Sequence, residues 1–432
     1  MRIKIFLGFK IVVFLLLILA FCSSCIKRDI SSAINNFSPI KFYGDRYGNF
    51  LSSFDACTDG GFVFGGYTMS SPSLQQQGFI QKCNSNGGVK WYKTYGGPAQ
   101  DLFWVVHPTS DGSFIACGTT TSFGPGASSN LQSAYLVKTN GNGDLLWQKT
   151  YGGKKGSIFY DVVETPDHGF AAVGIDNEQF YVVKTNQNGD TMWTCPDLSQ
   201  GYVLSYGSSV ALGPNGEIAV AGYASFPQTS FGVVIYCYLT DSGKFILPAK
   251  VQVEDLKNSS GFGTLDLYNS SIINNSLSIP STINLSKSPV CEKILGRPDG
   301  FIFIAERDNF SNTQVFKVDF NGSPLWRQIY TGKGATAIFS GVSNSASGGL
   351  LISGGTTSKN SSDPDFFWLL NLDSSGNKSI ESFIPIQENA WAAGAVFSGN
   401  SIASGVNLTT PSDIHEEYFG LLFTDQNGNI KK

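Results

Sequence analysis

Residues 134–153 read AYLVKTNGNGDLLWQKTYGG. Tyr135, Leu136 and Val137 are strand formers, and Leu145, Leu146 and Trp147 resume the pattern after a polar break. Asn140 to Asp144 are residues that tolerate positive φ, which a tight hairpin turn needs. The stretch is therefore read as a β-hairpin, and it recurs. Its turn glycine reappears as Gly87, Gly143, Gly189, Gly243, Gly322, Gly376 and Gly428. Four residues after each come Trp91, Trp147, Trp193, Leu247, Trp326, Ile380 and Lys432. A Trp held in register with a turn in four of seven copies marks a structural repeat.

A second signature precedes each hairpin: a Gly-rich turn, an apolar strand, then another Gly. Asp59-Gly60-Gly61-Phe62 leads to Gly66, Asp111-Gly112-Ser113-Phe114 to Gly118, and Asp167-His168-Gly169-Phe170 to Gly174. Pro214-Asn215-Gly216 leads to Gly222, Gly348-Gly349-Leu350 to Gly354 and Ser398-Gly399-Asn400 to Gly405. The fifth copy, Asp299-Gly300-Phe301, ends at Ala305-Glu306 without the Gly. Each unit predicts four strands, placed in the second unit at 102–108, 114–119, 135–140 and 145–151. Four antiparallel strands per ~50 residues, seven times over, predict an all-β, seven-bladed β-propeller. A solenoid is the structural alternative, but no helical periodicity supports it.

The last copy ends at Lys432, on the Trp position itself, so the seventh blade lacks its outermost strand. That strand elsewhere reads Trp91-Tyr92-Lys93-Thr94-Tyr95-Gly96, and the chain near its start reads Pro39-Ile40-Lys41-Phe42-Tyr43-Gly44. Residues 39–43 are expected to complete the last blade and close the ring, which removes the exposed strand edges of an open arc.

The N-terminus reads as an address. Arg2, Lys4 and Lys10 precede an apolar run of eleven at 11–21, too short for the ~20 residues of a membrane span. Cys22-Ser23-Ser24-Cys25 follows and resembles the lipobox of bacterial lipoproteins, with Cys25 as the acylated residue. Residues 1–24 are expected to be a lipoprotein signal peptide and 25–38 the lipidated cysteine with a flexible tether. Residues 39–432 form the propeller, with an insertion at about 252–289. No Asp follows Cys25, so an outer-membrane anchor is expected. Charged residues are 14% of the chain, well below the usual ~25%. Without the leader, 26 basic residues face 33 acidic ones, which argues against nucleic acid as a partner.

Strand parity puts the short turns on one face. On the other lie the loops 68–78, 120–133, 223–231, 356–365 and 406–417 and the insertion, whose stretches Thr264–Tyr268 and Ile279–Leu285 suggest a hairpin of their own. Long loops on a rigid scaffold are where binding usually resides. Aromatics near that face are Phe123, Tyr202, Phe226, Phe262, Tyr268 and Trp391, with blade packing as the alternative reading of each.

Catalytic signatures are few. His107, His168 and His415 share no metal-ligand spacing. Asn140–Asp144 and Asn186–Asp190 vaguely resemble calcium loops but lack the closing Glu, and hairpin geometry explains them. No nucleophile elbow or phosphate loop occurs. A glycosidase needs two carboxylates facing one cavity. Asp101, Asp161, Asp363, Asp365 and Glu388 lie at or near the loop face without a visible pairing. Beyond Cys22 and Cys25, six cysteines occupy different blade positions and read as buried fillers.

The Gly-x3-Trp hairpin of NGNGDLLWQKTY resembles the quinoprotein-like and WD40-like repeat propellers, in which the Trp docks between neighbouring blades. The DGGF…G half resembles repeat propellers of secreted and lipid-anchored bacterial proteins, often of Bacteroidota type. The resemblance covers about 39–432. It implies architecture and no cofactor, because this fold hosts enzymes, lectins and scaffolds alike. The expectation is a non-catalytic, lipid-anchored interaction scaffold, with an envelope protein as partner. Glycan binding is the first alternative and a polysaccharide hydrolase or lyase the second.

Overall fold

Inward-facing strands of this chain are apolar on both sides. β-branched and aromatic residues fill each central strand, as in the fully buried FIACGTT of Phe114–Thr120. Such strands must be covered on both faces, which stacked blades provide. A computed structural model of the chain describes residues 40–44, 48–69, 75–127, 129–195, 204–225, 232–255, 263–266, 283–284, 290–307, 312–332, 338–345, 348–356, 366–385, 390–409 and 417–431.

Seven antiparallel sheets follow one another along the chain. A short strand, β1 (Lys41–Tyr43), comes first. The first blade is β2 (Asn49–Ala56), β3 (Phe62–Thr68), β4 (Gln77–Cys83) and β5 (Val89–Tyr95). The second is β6 (Asp101–Pro108), β7 (Phe114–Thr120), β8 (Ser133–Thr139) and β9 (Leu145–Tyr151). A single helical turn, α1 (Gly124–Ala127), lies between β7 and β8. The third is β10 (Ser157–Glu164), β11 (Phe170–Asp176), β12 (Gln179–Thr185) and β13 (Thr191–Thr194). The fourth holds β14 (Leu204–Leu212), β15 (Ile218–Ser225), β16 (Gly232–Leu239) and β17 (Phe245–Asp255), extended by β18 (Gly263–Asp266) and β19 (Ile283–Asn284). The fifth is β20 (Val290–Arg297), β21 (Gly300–Arg307), β22 (Asn312–Val318) and β23 (Pro324–Thr331). The sixth is β24 (Ile338–Asn344), β25 (Leu350–Thr356), β26 (Phe366–Leu372) and β27 (Lys378–Pro385). The seventh runs through β28 (Ala390–Ser398), β29 (Ser401–Thr409) and β30 (Glu417–Asp425). The four strands expected for the second unit agree with β6–β9 to within two residues at every boundary.

The ring closes as the register required. β1 pairs antiparallel with β30, Lys41 opposite Leu421 and Tyr43 opposite Phe419. Tyr43, Leu51, Phe64 and Phe79 share one core cluster with Ala403, Phe419 and Leu421, so first and last blades are packed together. Asn407 of β29 adds a two-way bond to β2: Leu51 N donates to its Oδ1 at 2.8 Å, and its Nδ2 donates to Leu51 O at 2.6 Å.

The repeated Trp and Gly are one joint. Trp91 Nε1 donates to Gly141 O of the next blade at 3.1 Å, Trp147 Nε1 to Gln187 O at 3.2 Å and Trp193 Nε1 to Asp241 O at 2.7 Å. A Cβ on the next blade's turn glycine would strike the indole: on Gly143, 2.8 Å from Trp91, and on Gly376, 2.7 Å from Trp326. A tyrosine four residues beyond the Trp adds a bond of the same direction: Tyr95 Oη to Gly143 O at 2.7 Å and Tyr151 Oη to Gly189 O at 2.6 Å. Tyr43 occupies this position for the seventh blade and donates to Gly87 O at 2.6 Å. A matched pair of substitutions tests the joint. Gly60 and Gly143 both sit at φ +75°, but nothing lies within 4 Å of a Cβ at Gly60. Gly60→Ala should cost only the left-handed backbone term, about 1–2 kcal/mol. Gly143→Ala should add an overpacking term of about 1–3 kcal/mol, read as a larger loss in denaturation midpoint. Equal losses would mean that the Trp contact carries no energy.

The insertion departs from the expected self-paired hairpin. Residues 250–253 of β17 pair with β18, and Glu254 and Asp255 pair with β19. Both strands lie on the outer strand of the fourth blade, which runs past its usual end and offers its free edge to them.

Candidate functional site

The innermost strand of every blade has the same defect. Register shifts by one residue at Ser52, Trp104, Tyr160, Ser208, Glu292, Ser340 and Ala393. A bulge leaves one residue unpaired and bends the strand. Here the bend presses a carbonyl against the partner strand. A Cβ on Gly66 would lie 2.0 Å from Phe50 O, on Gly118 1.9 Å from Leu102 O, and on Gly174 1.9 Å from Ile158 O. The glycine that closes the second sequence signature is thus the partner of the bulge. The bulges open a central channel with a cavity of about 420 Å³, lined from all seven inner strands.

Between the bulges and the ends of those strands that lead into the short turns lies a charged belt. Asp55 comes from the first blade, His107 from the second, Asp161 from the third and Lys293 from the fifth. His107 Nδ1 is 2.8 Å from Asp55 Oδ2, and its Nε2 is 3.7 Å from Asp161 Oδ1. Lys293 Nζ lies 2.7 Å from Asp161 Oδ2. Asp161, with its side chain 2% exposed, also accepts from Ser209 Oγ at 2.7 Å and from the backbone N–H of Val210 and Val162 at 3.1 and 3.0 Å. Burial opposes charge on both His107 and Asp161. On His107 the neighbouring Asp161 and Asp55 carboxylates outweigh it and push the imidazole up to about 9. On Asp161 the Lys293 charge and the His107 bond outweigh it and hold the carboxyl well below its ordinary range.

The belt grows out of a structural staple. Ser53, Asp161 and Ser209 occupy one repeat position, just after the bulge. Each reaches the backbone of the next blade: Val106 N donates to Ser53 Oγ at 3.1 Å, and Ile294 N to Ser209 Oγ at 3.2 Å, as Val210 N does to Asp161. Asp161 is this staple lengthened to a carboxylate, and Lys293 holds the same repeat position two blades on. A glycosidase pair needs one protonated acid and one free carboxylate. Here Asp55 is hydrogen-bonded to the imidazole, and Asp161 lies 3.7 Å from it and is salt-bridged to Lys293.

Toward the long-loop face the wall becomes aromatic. Trp104 and Tyr160 have ring centroids 6.2 Å apart, Tyr160 and Tyr206 5.7 Å, and Tyr206 stacks on Tyr223 at 5.4 Å. Trp104 Nε1 and Ser343 Oγ are withdrawn from solvent and have no hydrogen-bond partner.

Sequence reading found none of this belt as a unit. It placed Asp161 with the loop-face acids and His107 at a strand end. Phe123 packs on Tyr135, centroids 6.3 Å apart, at the seam of the first two blades. Cys25, Tyr202, Phe226, Phe262, Tyr268, His415, Asp363, Asp365 and Glu388 lie outside the described residues, as does the side chain of Trp391 on β28. Asp101 is buried at the start of β6, where burial pushes its carboxyl up while it accepts from Gly97 N and Ser122 Oγ at 2.8 Å. The calcium-like turns spend their side chains on the hairpin: Asn140 Oδ1 accepts from Asn142 N and Asp144 N at 2.9 Å. Among the described residues no three His, Cys, Asp or Glu gather as a metal cluster. Cys57, Cys83, Cys117 and Cys237 form no disulfide. Burial pushes the Cys117 and Cys237 thiols well up, which suits packing rather than attack.

No protein-family model matches the chain, and no curated protein matches it. Several solved structures are similar in chain path. A dihydro-heme d1 dehydrogenase is 14% identical, with 90% of this chain and 67% of that chain covered and a TM-score of 0.47. A Lactobacillus plantarum protein is 12% identical, with 88% and 95% covered and a TM-score of 0.49. The periplasmic gluconolactonase of Pseudomonas aeruginosa is 10% identical, with 78% and 85% covered and a TM-score of 0.46.

Proposed function

We propose that this seven-bladed propeller is a non-catalytic interaction scaffold, anchored by lipid on Cys25 to the bacterial outer membrane and binding an envelope protein through its long-loop face. The observation that supports it most is the internal neutralisation of the channel acids. Asp161 is saturated by Lys293, Ser209 and two backbone N–H groups, and Asp55 is paired with His107. No described acid of the belt is left free to act as a base. The repeated positions are likewise spent on joints between blades. Sequence that does not repeat gathers where the loops are long, and rigid scaffolds bind there.

Photo-crosslinking on native cells tests the reading. A photoreactive residue at 262 or 268, in the insertion, should give a discrete protein adduct, and one at Asn142, on the short-turn face, should not. Cys25→Ser should release the chain from the membrane fraction. Adducts from Asn142 alone, or a Cys25→Ser chain that stays membrane-bound, would overturn the respective half of the proposal.

A further inference from the structure

The channel holds more than the belt, and what remains has the chemistry of a binding site. We propose that the aromatic half of the central channel binds an uncharged, hydroxyl-rich small molecule, a neutral sugar of one or two rings. The inference is independent of the scaffold reading, which concerns the long-loop face.

Four observations carry it. The first is size: about 420 Å³ falls within the range of small-molecule pockets, about 300–1,000 Å³. The second is asymmetry of the lining. Trp104, Tyr160 and Tyr206 form a continuous aromatic wall from three successive blades. Across the channel the sixth blade contributes Ser340 and, nearer the belt, Ser343, while Ser52 stands beside the wall and donates to Phe103 O at 2.7 Å. An aromatic face opposite hydroxyls suits a ring with one C–H face and a rim of hydroxyls. The third is charge. The described charged groups of the belt are two carboxylates, one lysine and a histidine held protonated at neutral pH, and they cancel. An ionic ligand would have to break an existing pair, and a neutral one need not. The fourth is unspent hydrogen-bonding capacity. Buried polar groups in folded proteins nearly all have partners. Trp104 Nε1, in the aromatic wall, has none, and neither has Ser343 Oγ, which lies across the cavity at the level of Asp55 and His107.

Trp104 also separates the proposal from a packing role. Its buried N–H without a partner disfavours the fold, so a tryptophan chosen only for packing would be better replaced by phenylalanine. Trp104→Phe should therefore fold with unchanged or higher stability. Trp104→Ala and Tyr160→Ala would remove the stacking wall.

The test is titration of the leaderless full-length propeller with neutral hexoses and their disaccharides, beside the matching uronic acids and hexosamines, followed by calorimetry. At least one neutral sugar should bind saturably. Trp104→Phe should weaken it several-fold and Trp104→Ala at least about tenfold, while the melting temperature of Trp104→Phe stays at or above that of the parent. No saturable binding of any neutral sugar overturns the proposal. So does a preference for the acidic or amino sugars, and so does binding that Trp104→Ala and Tyr160→Ala leave unchanged.

Discussion

Tyr43→Ala should lower the unfolding free energy of the propeller by about 3–5 kcal/mol, the range for deleting a buried aromatic side chain. Tyr43 is 7% exposed, packs on Phe64 and Phe419 with centroids 5.3 and 5.6 Å away, and donates to Gly87 O. It is the one buried side chain of a three-residue strand, so most of the closing contact runs through it. Truncation of the chain before Gly44 should go further. It strips β30 of its partner and exposes an edge of unpaired backbone, the usual template for aggregation. Urea denaturation of residues 39–432 reads the first effect as a lower midpoint, and size-exclusion chromatography reads the second as higher-order species. A Tyr43→Ala midpoint indistinguishable from the parent would show that the ring does not depend on this strand.

Asp161→Ala should cost a similar about 3–5 kcal/mol, because it strands two cations and two backbone N–H groups in the channel wall. Asp161→Asn keeps the shape and should cost less, about 1–3 kcal/mol. The double variant Asp161→Asn, Lys293→Met removes both charges of the pair and should recover part of the loss, a coupling of about 0.5–3 kcal/mol. The belt also sets a pH dependence with a definite sign. His107 is raised from 6.5 to about 9 in the folded chain, so its contribution is complete below about pH 6.5 and lost as pH rises through about 9. Asp161 is lowered from 3.8, so its contribution is complete above that value and lost in acid. Stability should therefore decline between about pH 6.5 and 9 in the parent and hold level over the same window in His107→Phe. A decline of the same size in both would assign the slope to other groups. With only three histidines in the chain, the His107 ring proton resonance can be followed directly, and Asp161→Asn should move its titration down.

What the sequence made legible, and what it hid, follows from how far each interaction reaches. The hairpin is local: its turn glycine and Trp are four residues apart, and both have one reason to be where they are. Ring closure is distant in sequence, yet it was readable because Lys41-Phe42-Tyr43-Gly44 copies a motif already seen complete elsewhere. The belt copies nothing. Lys293 and Asp161 stand 132 residues apart and meet only because each follows a bulge. The bulge did leave a mark, Gly66, Gly118, Gly174 and Gly222, the residues that tolerate a carbonyl at about 2 Å from a would-be Cβ. Read as the bulge's partner rather than as a strand end, that glycine locates the channel lining in each blade that carries it. It locates Asp161 but not Lys293, whose blade has Ala305 in place of the glycine. The insertion was misread for a different reason: Thr264 to Tyr268 alternates like one arm of a hairpin, but strand alternation does not say which edge a strand will take.

The displaced strand also fixes the order of events in making the molecule. Residues 41–43 leave the ribosome before any other part of the ring, and their partner at 419–421 is among the last parts of the ring to be made. Blades one to six can form from contacts within and between neighbours as they appear. The seventh cannot, because its outer strand has been waiting unpaired since the beginning. Almost the whole chain must be synthesised before the first strand is used, so the final step of folding is one long-range closure whose loop entropy falls due all at once. Until then, β30 has an open edge in a half-built ring, and the speed of this last step, rather than the strength of any blade, sets how long the chain is exposed to association with its own copies.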